Sequence, residues 1–497
     1  MKSTRQKIFD SVFYGLFSSL LLVVTYYIGS AMSLSLWGDE LYRLHQMSIN
    51  FWDLIKPHSF NDPNYPTQII LLKSASLLFQ TNDPNILVLI NLFNLGLMVL
   101  GIYLIKEKLT TDSLIILISL IVASEFFIRI FLEINTYGFI LGFSTLFSCL
   151  LFKTYFTRDG FISWENRGEN KHPISLLISG CLLATIHPIS GLFVSSVFFI
   201  LLLKAFQNRK LKVFSFIKLN LSLITGFFFP ILFLYLYGNA QVESHHLQLS
   251  INHIFNTGAF IIPIVLLGIY FVFSEFRKSP KGILQKIIIS FLPVLLPLLI
   301  LFAYSYFVIP TYQARYFMTF LPLTGLIAIG LFGEMDIKKI RLPFISACLI
   351  TVLFLYGPRS QVPYTNYQYL IETSHSENCK NVPLFFNKSE IINTPLFAYQ
   401  NMLPRTYLYA SSLYSENFQR KLISYDELIR SIDNLKLTER NCQIIGISGQ
   451  KEQDVFLKSL NEDINRHSSS NYQVRKIIAD KCLKPGCGLL WAIKESP

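Results

Sequence analysis

A chain of 497 residues that is 52% apolar and only 15% charged, with 44 Phe and a mean hydropathy of +0.44, departs strongly from the composition of a soluble domain. Its net charge of +12 does not indicate nucleic acid as a partner, because 26 Lys and Arg and 17 acidic residues lie before Pro358, between long apolar runs, where excess cations mark membrane topology. A cleaved signal peptide is not expected either: the first apolar run is too long, and no small-residue cleavage pattern follows it.

Apolar runs of roughly 17 to 25 residues recur from Ile8 to Tyr356, each long enough for a hydrocarbon core of about 30 Å. They predict about eleven transmembrane helices, near 10–30, 85–105, 113–132, 137–152, 174–188, 190–203, 214–237, 258–275, 287–308, 316–333 and 342–357. With these spans alternating, the cations at Lys2 to Lys7, Lys106 and Lys108, Lys153 to Lys171, Lys204 to Lys212, Arg277 to Lys286 and Lys338 to Arg341 share one side. The opposite loops before Pro358 hold only Arg43, Lys56, Lys73 and Arg315. The positive-inside rule then puts the N-terminus in the cytoplasm of a multi-pass plasma or inner membrane protein, and an odd number of spans exports the tail. "PTQIILLKSASLLFQ", residues 66–80, is short for a span and carries Lys73 at its middle. Counting it as one reverses every later loop, so a helix lying along the outer surface is expected there.

The composition changes at "GPRSQVPYTN", residues 357–366. A membrane part over 1–357, with a long first outer loop at 31–84, and an extracytoplasmic soluble domain over 358–497 are expected. Short apolar strands at 382–387, 405–410, 442–449 and 489–494 alternate with helical patterns at 425–435 and 451–464, which reads as a small α/β domain. Cys149, Cys181 and Cys348 fall in spans, as packing residues. Cys379, Cys442, Cys482 and Cys487 fall in the exported domain, where two disulfides in any of three connectivities are expected and zinc is the competing reading.

Chemistry-bearing residues collect on the outer side. "LWGDELYRLHQ", residues 36–46, brings Asp39 and Glu40 out just after the first span. Glu133 falls at the outer end around "FLEINTYGF", His187 in "TIHPISG", His245, His246 and His253 in a later outer loop, and Tyr312, Arg315 and Tyr316 in "IPTYQARYF". Each alone is an ordinary interfacial residue. Their joint placement points to a site facing the lipid headgroups. Glu125, Arg129 and Glu133 repeat every four residues along one helical stripe, and Glu125 with Arg129 reads as an intramembrane ion pair. That pair is the one feature that suits a transporter or flippase, whose polar residues lie near the bilayer midplane.

"LWGDEL" resembles the Trp-x-Asp-Glu motif in the first outer loop of the GT-C glycosyltransferases, the membrane class that includes protein O-mannosyltransferases and the lipid A aminoarabinose transferase. "DPNYPTQIILLKSASLLFQTND", "LEINTYGFIL", "TIHPISGLF" and "ARYFMTFLPL" resemble further motifs of that class, in the same order over residues 10–357. Asn64, Tyr65 and Asn135 depart from it, standing where His, Pro and Arg are usual. The resemblance implies an enzyme that takes a sugar from a polyprenyl-phosphate donor and passes it, with inversion, to a lipid, glycan or protein acceptor on the outer face. On that reading Asp39 is the general base with Glu40 beside it, and Arg315 holds the donor phosphate with Tyr312, Tyr316 and Lys73. Glu133, Tyr137 and His187 then line the pocket, membrane lipids surround it, and neither a cofactor nor a metal is required. A polysaccharide ligase or polymerase using a diphosphate-linked donor is the alternative within the same compartment.

Overall fold

The structure is a computed structural model that describes residues 4–31, 47, 66–80, 87–122, 127, 131, 134, 136–156, 174–207, 221, 223–232, 283–307, 314–330, 384–386, 422–424, 429–430, 441–446, 450–469, 472–478 and 488–495. The chain divides into two compact units, Met1–Ala31 with Asn50–Gly357, and Met32–Ile49 with Pro358–Pro497.

The described elements of the first unit are helices: α1 (Thr4–Ala31), α2 (Pro66–Phe79), α3 (Ile90–Leu104), α4 (Thr111–Val122), α5 (Thr136–Tyr155), α6 (Ile174–Ala184), α7 (Pro188–Gln207), α8 (Leu223–Leu232), α9 (Ile283–Phe307), a 3-10 helix over Ala314–Thr319, and α10 (Leu321–Gly330). Local sequence explains several starts. Pro66 and Pro188 open α2 and α7, where a missing N–H costs nothing and the fixed φ is already helical. Thr110 accepts the N–H of Ser113 on its hydroxyl at 3.1 Å and caps α4, with Asp112 in the first turn favoured by the helix dipole. Within α9, Pro293 and Pro297 each remove a backbone donor from an otherwise apolar helix.

Three described helices are long and apolar enough to cross a membrane: Gln6–Tyr26, Thr136–Tyr155 and Ile287–Phe307. The first and last bury 28% of their apolar stretch and the middle one 83%, so α5 is the hub and α1 and α9 turn much of their surface outward. The runs predicted at 258–275 and 342–357 lie outside the described residues, as do Glu125, Arg129 and Cys348. The stretch 66–80 is helical, and it docks through buried Gln68, Leu72 and Ala75 while Leu77 and Leu78 stay exposed.

Lipid is as apolar as leucine, so helices in a membrane associate through close packing rather than burial from water. The α3–α5 contact does this with glycines. A Cβ placed on Gly101 meets the Leu146 Cα at 2.9 Å, and one placed on Gly142 meets the Asn94 Cα at 3.1 Å. Since Asn94 faces Gly142 and Gly101 faces Leu146, α3 and α5 run in the same direction. Gly101→Ala therefore forces the two backbones apart, and we expect it to cost about 1–3 kcal/mol, the usual range for overpacking. Thermal unfolding of the purified variant checks this, and an unchanged midpoint refutes it. Aromatic rings extend the core from α5 to α7 and the turn between the 3-10 helix and α10: Phe147 lies 5.7 Å from Phe193, and Phe193 lies 5.3 Å from Phe320. Cys149 is a buried free thiol and Cys181 a half-buried one.

In the second unit, β1 (Leu384–Phe386) pairs in parallel with β2 (Leu422–Ser424). β3 (Asn441–Gly446), β4 (Tyr472–Ile478) and β5 (Gly488–Glu495) form an antiparallel sheet with β5 in the centre, and α11 (Gln450–His467) packs on β4. Asn461 of α11 accepts the N–H of Val474 at 2.9 Å, which ties the helix to the strand. β2 and β4 were not legible as strands in the sequence. β2 is three residues long, and in "YQVRKII" the adjacent Arg475 and Lys476 break the alternation, next to a register shift between Lys476 and Ile478. The strand expected at 405–410 lies outside the described residues, as do the side chains of Cys379, Cys442, Cys482 and Cys487.

Candidate functional site

The corner between α6 and α7 reads "TIHPISG". His187 caps α7: its Nδ1 accepts the N–H of Ile189 at 3.2 Å, and its carbonyl accepts the N–H of Gly191 at 3.0 Å. With Pro188 next, the helix starts without wasting a donor. Because Nδ1 accepts, the neutral imidazole carries its proton on Nε2. The ring is only 5% exposed and lies between two tyrosines, 6.1 Å from Tyr137 at the start of α5 and 5.2 Å from Tyr316 in the 3-10 helix. Three distant parts of the chain thus meet at one end of the helical unit.

Three of the buried polar atoms lacking partners among the described residues lie on the elements that meet there. Thr136 donates its hydroxyl to Gln68 Oε1 of α2 at 2.6 Å, which leaves the buried Gln68 Nε2 without a partner. Ser190 follows His187 by one turn of α7, and Thr319 follows Tyr316 by one turn of the 3-10 helix, where residues three apart eclipse. Both hydroxyls are buried and unpartnered among the described residues. Each such atom costs roughly 1–3 kcal/mol unless something satisfies it. Behind them Asn91 donates to the Phe131 carbonyl at 3.2 Å and accepts from Asn94 at 3.0 Å. A His flanked by two Tyr, on elements that also carry unpartnered buried polar atoms, suits a polar ligand that both accepts and donates hydrogen bonds.

Of the residues expected from sequence, Tyr137, His187 and Tyr316 are brought together. The backbone of Arg315 is part of the 3-10 helix, next to Tyr316, and that helix packs against α5 and α7. The Arg315 side chain and all of Asp39, Glu40, Glu133 and Tyr312 lie outside the described residues, as do His245, His246 and His253. Lys73 is half-buried on α2, five residues beyond Gln68 and so roughly 140° around the helix from it. No group of three His, Cys, Asp or Glu that could hold a metal occurs among the described residues. Gln68, Thr136, Ser190 and Thr319 were not anticipated. The available signal was Gln68 itself, a costly amide at the head of an apolar helix, which implies a polar neighbour.

The cap separates two roles of His187. We expect His187→Asn to be more stable than His187→Ala by about 1 kcal/mol, because Asn still caps α7 whereas Ala cannot. Both variants lack the Nε2–H, so both are expected to lose ligand binding to a similar degree. Paired thermal unfolding and binding measurements decide it, and equal stability of the two variants removes the cap assignment.

Two solved structures share this architecture along nearly the whole chain. The crystal structure of ArnT from Cupriavidus metallidurans in the apo state aligns over 97% of this chain and 98% of its own, with a TM-score of 0.54 and 10% sequence identity. The structure of the same ArnT bound to undecaprenyl phosphate aligns over 96% and 97%, with a TM-score of 0.52 and again 10% identity. The chain has the ArnT fold. The GT-C-like resemblance drawn from short motifs is thereby shown for the fold, and the chain is a polytopic helical membrane protein. No family model and no curated protein matches the sequence. What ArnT and this chain share at such low identity is the course of the backbone.

Proposed function

We propose that the protein is a membrane glycosyltransferase that moves a sugar from a polyprenyl-phosphate donor to an acceptor on the extracytoplasmic face. The observation that carries this reading is the end-to-end likeness to ArnT, of which one structure is bound to undecaprenyl phosphate. The polar cluster around His187 adds to it. It lies where α5 begins, whereas Lys108 and Lys153 lie where α5 ends, so the positive-inside rule turns the cluster outward.

In the proposed reaction Asp39 takes the proton of the acceptor hydroxyl as its oxygen bonds to the anomeric carbon. The bond from that carbon to the donor phosphate breaks on the opposite face, which inverts the configuration. The departing phosphate monoester needs no proton, only stabilisation of its charge. Arg315 supplies this through a planar pair of N–H donors, and the Nε2–H of His187 and the hydroxyls of Tyr137 and Tyr316 complete the pocket. The acceptor is a lipid, a glycan or a protein. Incubating the purified protein with a polyprenyl monophosphate sugar and candidate acceptors tests the reading. The expected result is acceptor-dependent release of polyprenyl phosphate. Turnover only with a diphosphate-linked donor points to a ligase or polymerase, and movement of intact lipid without release points to a flippase.

A further inference from the structure

At the opposite end of the helical unit, where α3 and α5 finish and α6 begins, lies a cavity of about 800 Å³. Its walls are apolar, formed by residues such as Leu100 and Leu104 of α3, Phe143 and Leu150 of α5, and Ile178 and Leu182 of α6. Leu100, Ile178 and Leu182 are also exposed, at 47%, 54% and 40%, so the groove opens sideways, toward the surface that faces lipid. Its other lining residues include Lys108, Lys153, Glu107, Thr154 and Ser175, which lie together at the polar end.

The cations there are placed by structure. Lys108 donates to the carbonyls of Phe152 and Phe156, using the open C-terminal end of α5 to fix its ammonium at the mouth. Lys153 is exposed and has no ion pair or hydrogen bond among the described residues. Glu107 offsets one of the two charges. The charges that line the mouth, Lys108 and Lys153 against Glu107, therefore leave it net positive. An apolar slot open to lipid with a cationic mouth matches one occupant: a phospholipid with a net negative headgroup, its phosphate at Lys153 and Lys108 and an acyl chain along α3, α5 and α6. Basic pockets between transmembrane helices on the cytoplasmic side recognise anionic headgroups in this way.

We propose that this groove is a binding site for an anionic phospholipid of the leaflet opposite the His187 cluster. The site is separate from that cluster, and binding there braces the α3–α5–α6 contact without taking part in transfer. The test uses the full-length protein purified in detergent and titrated with phosphatidylglycerol or with phosphatidylcholine of the same acyl chains. Thermal midpoint and lipid retention in native mass spectrometry are read together. Phosphatidylglycerol is expected to raise the midpoint and be retained, and phosphatidylcholine is not. Lys153→Gln, at an exposed position, should weaken retention about fivefold, the factor for one lysine near an anionic surface. Ile178→Trp fills the slot from an exposed position and should abolish the gain, with Leu182→Trp as the replacement if that variant does not fold. Equal effects of the two lipids overturn the proposal, as does a phosphatidylglycerol gain that survives filling of the slot. Protection by polyprenyl phosphate that disappears in Ile178→Trp overturns it too, because the groove would then serve the donor.

Discussion

Asp39→Asn is expected to insert and fold like the wild type and to lose at least about a hundredfold in sugar transfer, the loss that follows removal of a general base. The expectation rests on "LWGDEL", where a carboxylate follows the first span at the membrane surface. An isosteric amide keeps the size and much of the hydrogen bonding of the side chain but cannot accept a proton from an acceptor hydroxyl. The change should therefore fall on kcat at saturating donor while binding of polyprenyl phosphate is preserved. Glu40→Gln, at the neighbouring carboxylate of the motif, provides the comparison. Near wild-type turnover by a well-folded Asp39→Asn protein removes Asp39 from the mechanism.

Arg315→Lys is expected to lose most of the activity although the charge is retained. The Arg315 backbone lies in the 3-10 helix beside Tyr316, whose ring is 5.2 Å from that of His187, so a long side chain from this position starts next to the polar cluster. Guanidinium grips a phosphate through two parallel N–H donors, whereas an ammonium is a point charge on a flexible stem. A residue that merely anchors the helix at the headgroups tolerates the exchange, because Lys snorkels as well as Arg does. Polyprenyl phosphate at 100 times its Kd should stabilise the wild type by about 2.7 kcal/mol against heat, and the variant by clearly less. Full activity together with unchanged lipid protection returns Arg315 to the anchoring role.

Several local features could be read residue by residue. The helix at 66–80 and the strands within 382–387, 442–449 and 489–494 depend on neighbours in sequence, and the backbone follows them, whereas the span expected over 174–188 ends at Ala184 and Pro188 opens the next helix. His187 and Tyr316 were singled out as outward-facing polar residues because an apolar run has two ends and cations mark one of them, and Tyr137 through the family resemblance. That argument brings them to the same surface and goes no further. Lys73 shows its limit, for it shares the short helix of Gln68 yet is turned well away from the Gln68 side.

The sequence by itself determined that the chain is a membrane protein and on which end of its helices the polar residues lie, because hydrophobicity and charge bias are properties of composition along the chain. Only the tertiary structure decided that His187 sits between Tyr137 and Tyr316, that Gln68 meets Thr136, and that α3, α5 and α6 leave a groove with Lys108 and Lys153 at its mouth. The physical reason lies in the solvent. In water an amphipathic stripe shows which face of a helix turns inward. In a bilayer the lipid-facing and protein-facing sides are both apolar, so the stripe is absent and helix pairing rests on shape. Shape here means the close approach at Gly101 and Gly142 and the rings of Phe147, Phe193 and Phe320, contacts between residues that nothing in the linear order brings together.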